Sequence, residues 1–433
     1  MLPLSPRETA GRLPAMRSAQ GHSSKGDSLK GSGGKAPSPR ASADLVRRES
    51  ELLIIGAGIV GAMCAHFARA AGLKTIVIDR NSVASGTTGA GEGNIMVSDK
   101  SPGAELELAL ISRDLWFDVG KDVGDSFELV AKGGVSVARH DPSALFALAT
   151  NQSKDGVATR ELNAAELKKL EPFISPEIKY GIHYPQDSQC QPMLAAARIM
   201  ENFVKRGGTI HSHQEVLEIT SFENGLRVRT QDAIFTTRYV INAAGTWAGE
   251  IAKRADTYLP IMPRRGFILV TAPLPQYVFH KVYDSDYVEN VASDDADLQT
   301  STVVEGTKSG TILIGASRER VGYDKSMSVP VIKKLARQAT SLFPILEKAQ
   351  LLRVYNGFRP YSPDHLPVIG EDSKVPGLFH CAGHEGAGIG LSAASGKLIA
   401  QLITGKDPLV NPLPFSPARF QESRTAGVGG VHG

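Results

Sequence analysis

An apolar run, Leu52 to Ile55, leads directly into Gly56-Ala-Gly58-Ile-Val-Gly61 and then into a further apolar stretch. No other feature of the 433-residue chain restricts its fold so tightly. A buried strand must turn sharply into a helix whose N-terminus faces a ligand. The first glycine permits the turn, the second lets a pyrophosphate approach the backbone, and the third lets helix and strand pack closely. A second apolar strand ends at Asp79, 18 residues after Gly61, where a carboxylate accepts hydrogen bonds from ribose hydroxyls and repels a 2′-phosphate. Glycines alone are weak evidence. Strand, glycines, helix, strand and terminal acid in that order point to a dinucleotide, and FAD and NAD fit equally well.

Residues 383–390, GHEGAGIG, repeat the format between an apolar strand, Leu378 to Ala382, and a helix predicted over 389–403. Two helix N-termini at opposite ends of one sequence suit a large ligand whose two ends need separate anchors. Backbone N–H groups here suit the N1/O2 edge of a flavin, and the helix dipole stabilises the anion formed on reduction. A plain helix cap is the competing reading. Between the two turns, Asp79-Arg80 is followed by SGTTGAGEGN from Ser85 to Asn94. Its small and hydroxyl residues allow close approach to a cofactor, as those of an ordinary linker also would.

The rest of the chain sets limits. The first 50 residues hold nine Lys/Arg against four Asp/Glu and no Phe, Tyr or Trp, which predicts a disordered basic leader. It reads either as an organelle presequence or as a dispensable tail, with Met16 an alternative start. The remaining residues carry 39 basic against 41 acidic side chains, so a nucleic-acid partner has no electrostatic basis. Three scattered cysteines, Cys64, Cys190 and Cys381, make a disulfide framework, zinc site or iron–sulfur cluster unexpected. The longest apolar run, Leu52 to Ala65, contains three glycines and falls short of the ~20 residues a membrane span needs. A cytoplasmic location follows as the expectation, with peripheral docking at the inner membrane face left open.

Pattern reading predicts strand 52–56, helix 59–71, strand 74–79, helix 105–124 and a strand pair near 127–138 turning at Gly133-Gly134. Asn163 and Glu166 form a capping-box pair, and Pro192 opens helix 193–206. A hairpin follows around Asn224-Gly225, then strand 239–243, antiparallel strands across 261–317 and helix 330–342. The expected fold class is α/β, α+β overall: a discontinuous Rossmann-like dinucleotide-binding domain with an inserted antiparallel β-sheet domain. The expected boundaries are a leader at 1–50, dinucleotide-binding parts at 51–125, 191–255 and 351–420 (FAD-binding, on the resemblance to a known family), inserted-sheet (substrate) parts at 126–190 and 256–350, and a flexible tail at 421–433.

From about residue 51 to Phe420 the chain resembles the D-amino-acid oxidase, glycine oxidase and sarcosine oxidase superfamily of FAD-dependent amine oxidoreductases. The landmarks are IIGAGIVG, VINAAGTWAG at 240–249, GFRPYSPDHLPVIG at 357–370 and AGHEGAGIG at 382–390. The last two are most similar to bacterial D-amino-acid dehydrogenases and to flavoprotein subunits of heteromeric opine, hydroxyproline and cyanide-forming dehydrogenases. The resemblance implies oxidation of a small amino acid or secondary amine at its C–N bond, by hydride transfer to flavin N5. It implies FAD held by Gly56, Gly58, Ile59, Val60, Gly61, Asp79, Arg80, Thr87, Thr88, Gly93, Asn94, the backbone of Val216, and Gly245. The tail turn adds Gly383, His384, Glu385, Gly386, Ala387, Gly388, Ile389 and Gly390. Trp247 is implied to pack nearby.

Arg359 matches the family's substrate-carboxylate arginine, a choice its planar bidentate fork supports. GFRPYSPD lacks a cysteine and residues 85–94 lack a histidine, so the cofactor is expected to be noncovalent. His384 is expected beside the flavin, either tuning it or shaping its loop. Tyr361 and His365 belong to the pocket or to the turn, and Cys381 packs as a small apolar group. Electrons leave to a quinone, a partner subunit or oxygen. A dehydrogenase is the favoured reading, an oxygen-using oxidase the alternative, and a non-catalytic flavin-binding subunit of a larger complex the reading from another class.

Overall fold

The computed structural model describes residues 45–420, apart from 125, 286–287 and 289–294. The first sheet grows outward from the strand Val46–Ile55, which pairs in parallel with Thr75–Ile78 on one side and Ala233–Asn242 on the other. Thr209–His211 and Leu378–Ala382 extend it at the two flanks, again in parallel. Residues Leu52, Leu53, Ile54 and Val77 are fully buried, as strands covered on both faces must be. One face carries the helices Ile59–Ala70, Ala104–Val123, Pro192–Lys205 and Gly388–Thr404. The first and last of these cross closely because Gly396 has no side chain: a Cβ there would lie 2.6 Å from the carbonyl carbon of Met63.

The second sheet runs in the order Leu351–Tyr361, Met262–Thr271, Ile312–Arg318, Gln299–Gly306, Lys281–Asp284, Gly134–Ala138, Tyr180–Tyr184, Arg160–Leu162. Its one parallel pairing among the described strands joins Lys281–Asp284 to Gly134–Ala138. Helix Val329–Leu342 covers one face, setting Val331, Leu335 and Leu342 against Phe267, Leu269, Val304 and Ile314. The other face carries Gly266, Ile268, Gly357 and Arg359, which border the cavity described below. Among the described residues no helix is long and apolar enough to cross a membrane.

Several expectations need correction. Strand formation begins at Val46, so residues 46–50 of the expected leader are sheet, paired with residues 233–237. The alternation Arg47, Glu49, Glu51 had hidden this polar half of the strand. Residues 1–44 and the expected tail at 421–433 lie outside the described residues. No hairpin forms near 127–138: Gly134–Ala138 pairs with Tyr180–Tyr184 and Lys281–Asp284, and Val130 makes only an isolated bridge to Gln189. Leu351–Tyr361 pairs along its length with Met262–Thr271, carrying the second sheet eleven residues past the expected boundary at 350. The capping box at Asn163 and Glu166 is present with both of its hydrogen bonds.

Candidate active site

A cleft lies between the first sheet's connecting turns and the bare face of the second sheet, its empty space about 1580 Å³ with the open solvent at its mouth counted in. Both glycine turns reach it. Gly56, Gly58, Ile59 and Val60 line it from the head of the chain, and His384, Glu385, Gly386, Gly388 and Ile389 from the tail. Gly61, Gly383, Ala387 and Gly390 do not line it; they shape the turns beneath.

At the head, Gly56 has φ +117°, and a Cβ there would collide with the carbonyl oxygen of Ala243. Gly61 is excluded from bearing a side chain by the carbonyl oxygen of Gly56. A Cβ on Gly58 would meet only the Thr88 hydroxyl, at 3.1 Å, so this residue leaves its cavity side bare. Asp79 accepts hydrogen bonds from Ala57 N and Asn81 N, both at 2.7 Å, which fix its carboxylate at the end of its strand. The guanidinium of Arg80 stacks 4.2 Å over Trp247, whose ring lies parallel to that of Tyr323.

The threonines of the 85–94 loop spend their hydroxyls on the protein. Thr88 Oγ1 accepts from Ile59 N at 2.9 Å. Thr87 Oγ1 donates to the carbonyl of Phe358 at 2.8 Å, as Thr246 does at 2.9 Å. The two bonds to Phe358 tie these loops to the second sheet, while the Thr88 bond holds the loop to the head helix. Gly93, at φ +112°, packs against the Cys190 carbonyl, which excludes any side chain. Asn94 donates from Nδ2 to Glu92 at 2.8 Å, while its Oδ1 is buried with no hydrogen-bond partner among the described residues. Val216 is buried at the cavity edge with its carbonyl held by Arg254, and Gly245 takes φ +56° at the start of a short turn.

The tail turn is held from two sides. Trp116 and Ser112 donate to the carbonyls of Ile389 and Gly390, at 3.0 and 2.6 Å. His384 is buried and shares a 2.9 Å hydrogen bond with Ser395; burial holds its imidazole neutral, with a pKa lowered to about 4. Glu385 takes the left-handed conformation at φ +46°, uncommon for a residue with a side chain. Its carboxylate meets Arg264 at 3.3 Å and His365 at 2.9 Å. Arg264 is itself almost wholly buried. The ring of Tyr361 lies under Arg264 and beside His365, so both residues belong to this network. Arg359 donates to the Ser317 carbonyl at 2.8 Å, and a Cβ on Gly386 would be 3.5 Å from its Nε. Cys381 borders the cavity as a buried thiol.

Sequence reasoning missed the second sheet's contribution. Gly266 and Gly357 face each other in register. A side chain on the first would collide with the Arg359 guanidinium, and on the second with Ala90. Their bareness lets the 85–94 loop lie directly on the sheet. Arg264, Glu92 and Gly315 were likewise unnoticed, since an isolated glycine or charge carries no motif.

These features fit an extended dinucleotide. Neither cavity-facing helix has a side-chain N-cap, and neither carries an acid in its first turn. Both ends therefore offer backbone N–H groups and a positive dipole to an anion or an electron-rich ring. The unpartnered Asn94 Oδ1 offers an acceptor for a ring N–H.

The comparisons agree. The family described as FAD dependent oxidoreductase matches residues 51–402. The glycine oxidase of Geobacillus kaustophilus is 28% identical over 385 residues, spanning 85% of this chain and 97% of that protein. Hydrogen cyanide synthase subunit HcnC of Pseudomonas aeruginosa is 27% identical over 432 residues, spanning 88% and 99%. The solved L-proline dehydrogenase from P. horikoshii superposes with a TM-score of 0.79 at 24% identity, covering 87% of this chain and 99% of that one, a likeness of fold.

Proposed function

The chain belongs to the FAD-dependent oxidoreductase family, and from that premise we propose that it oxidises the carbon–nitrogen bond of a small amino acid or secondary amine. The observation that carries this reading is the position of Arg359. It stands on the second sheet, beside the tail turn at Gly386 and on the cavity wall. A substrate carboxylate paired with it is held next to the cofactor's expected ring site.

Bound FAD, held without a covalent link, supplies the acceptor for the two electrons of the substrate Cα–H bond. The head turn and Asp79 take its adenosine half, and the residues of 384–389 that line the cavity take its ring. Arg359 fixes the substrate's orientation through a charge-assisted bidentate pair. The uncapped N-terminus of the Gly388–Thr404 helix, with Gly388 and Ile389 on the cavity wall, would favour negative charge on a bound ring. His384, neutral across the physiological range, adds no positive charge there. The cavity-facing side of the second sheet supplies the substrate pocket. The reaction needs the substrate amine as its free base, a minor form of an α-amino group at neutral pH that the site binds from solution, and no side chain is assigned as a base.

Among possible acceptors we favour a quinone or a partner subunit over oxygen. The similarity to a protein named as a synthase subunit supports this, and the similarity to glycine oxidase supports the second reading, direct use of oxygen. Anaerobic addition of glycine, sarcosine, proline and D-amino acids to the purified protein tests the proposal by bleaching of the flavin band. Bleaching by at least one of them is expected. A flavin that none of them bleaches would contradict it and favour a non-catalytic, flavin-holding subunit. Reoxidation of the bleached protein by air or only by a dye separates oxidase from dehydrogenase.

A further inference from the structure

Glu92 was absent from every sequence-based expectation, yet it lines the cavity with its side chain nine-tenths buried. One oxygen, Oε2, accepts from Asn94 and lies 3.9 Å from the Lys281 ammonium. The other, Oε1, is buried and has no hydrogen-bond partner among the described residues. A buried carboxylate oxygen in that state costs free energy unless something else donates to it. Glu385, another carboxylate on the cavity wall, is engaged at both oxygens. Asp79, at the far end of the cavity, is likewise engaged at both.

Glu92 sits over Gly315, where a Cβ would collide with Oε1. The Arg359 guanidinium sits over Gly266 and donates to the carbonyl of Ser317, two residues further along the same strand. Both side chains border the cavity, over positions two residues apart on one strand. A donor for carboxylates and a buried acceptor therefore face the same space, as the two ends of an α-amino acid require.

We propose that Glu92 Oε1 accepts an N–H of the substrate's amino group while Arg359 holds its carboxylate, so that the site selects molecules with an amine next to a carboxylate. The inference rests on the amino-acid reading above and deepens it to α-amino acids, primary or secondary. Simple amines lack the group for Arg359. Carboxylates without an amine leave Oε1 unpaired. Lys281 keeps Glu92 anchored, and it also interacts with Glu305, its partner directly across the strand pair.

The test uses the FAD-loaded protein, with glycine and proline as amino-acid probes and acetate as the amine-free probe. Acetate binding is read from the flavin difference spectrum, and amino-acid binding from the concentration dependence of anaerobic flavin reduction. Glu92→Gln is expected to raise the Kd of the amino acid that reduces the flavin tenfold or more, and to leave the acetate Kd within twofold. Gly315→Ala, whose methyl group displaces the same carboxylate, is expected to reproduce that selective loss if Glu92→Gln does not fold. An unchanged amino-acid Kd, or equal weakening of amino acid and acetate, overturns the role of Glu92. If the wild-type flavin is reduced by neither amino acid and perturbed by none of the three probes, the amino-acid reading falls and takes this inference with it.

Discussion

The two glycine turns share a format, strand then glycines then helix, but they are stabilised in different ways. The head turn is self-contained. Its positive φ falls on a glycine, Gly56, and its polar contacts come from Asp79 and Thr88 in the loops beside it. The tail turn puts a glutamate at positive φ and holds it with Arg264, on the second sheet, and His365. A turn set by backbone sterics demands glycine and can occur in any dinucleotide domain. A turn set by a buried ion pair couples the cofactor's ring site to the sheet that carries Arg359 and Glu92.

Gly56→Ala breaks the head most severely. The conformation at φ +117° and the collision with Ala243 together predict a protein that retains no FAD after gel filtration. Gly58→Ala, which meets only the Thr88 hydroxyl at 3.1 Å, is expected to weaken FAD less, and the flavin-to-protein absorbance ratio compares the two. At the tail, Arg264→Met takes from the buried Glu385 carboxylate its guanidinium partner and leaves His365 beside it. Loss of one partner of a buried pair typically costs 3–5 kcal/mol, so a clear fall in Tm is expected. The double variant Arg264→Met/Glu385→Gln should recover part of it. Full additivity of the two single losses would show that the pair does not act as a unit.

His384 gives the tail turn a pH dependence. Its folded pKa, about 4, lies below the usual 6.5, so the unfolded chain binds a proton first as pH falls. Its contribution to stability is complete above about pH 6.5 and is lost as pH drops toward 4, by about 3 kcal/mol in all. Tm measured from pH 7 to 4 should fall less steeply in His384→Leu than in the wild type; parallel curves would remove His384 from that role. Arg359→Ala is expected to keep its FAD and lose about 10–150-fold in kcat/KM for carboxylate substrates, the equivalent of a 1.5–3 kcal/mol charged hydrogen bond. Unchanged kinetics would remove Arg359 from the substrate site.

What could be read from the sequence follows the same division. The head turn, Asp79 and the strand Leu378–Ala382 were legible because their requirements are local: glycine where φ is positive, apolar residues where both faces are covered, and an acid at a strand end. The strand start at Val46 was missed because residues 46–50 lie on a half-exposed extension whose alternation reads as polar. Gly266, Gly315 and Gly357 were missed because what excludes their side chains comes from distant segments: Arg359, Glu92 and Ala90. Glu92 stood in view within SGTTGAGEGN, but only strand register places it along one wall with Arg359. The expected boundary at 350 failed because a strand leading toward the tail turn still belongs, by its pairing, to the second sheet.

The joint hold of both turns on one FAD is tested most directly by the flavin content of the purified protein before and after acid precipitation. The account predicts a yellow protein with one FAD per chain, released entirely into the acid supernatant. A colourless protein that stays colourless after incubation with FAD, or a flavin that remains with the precipitate, would contradict it.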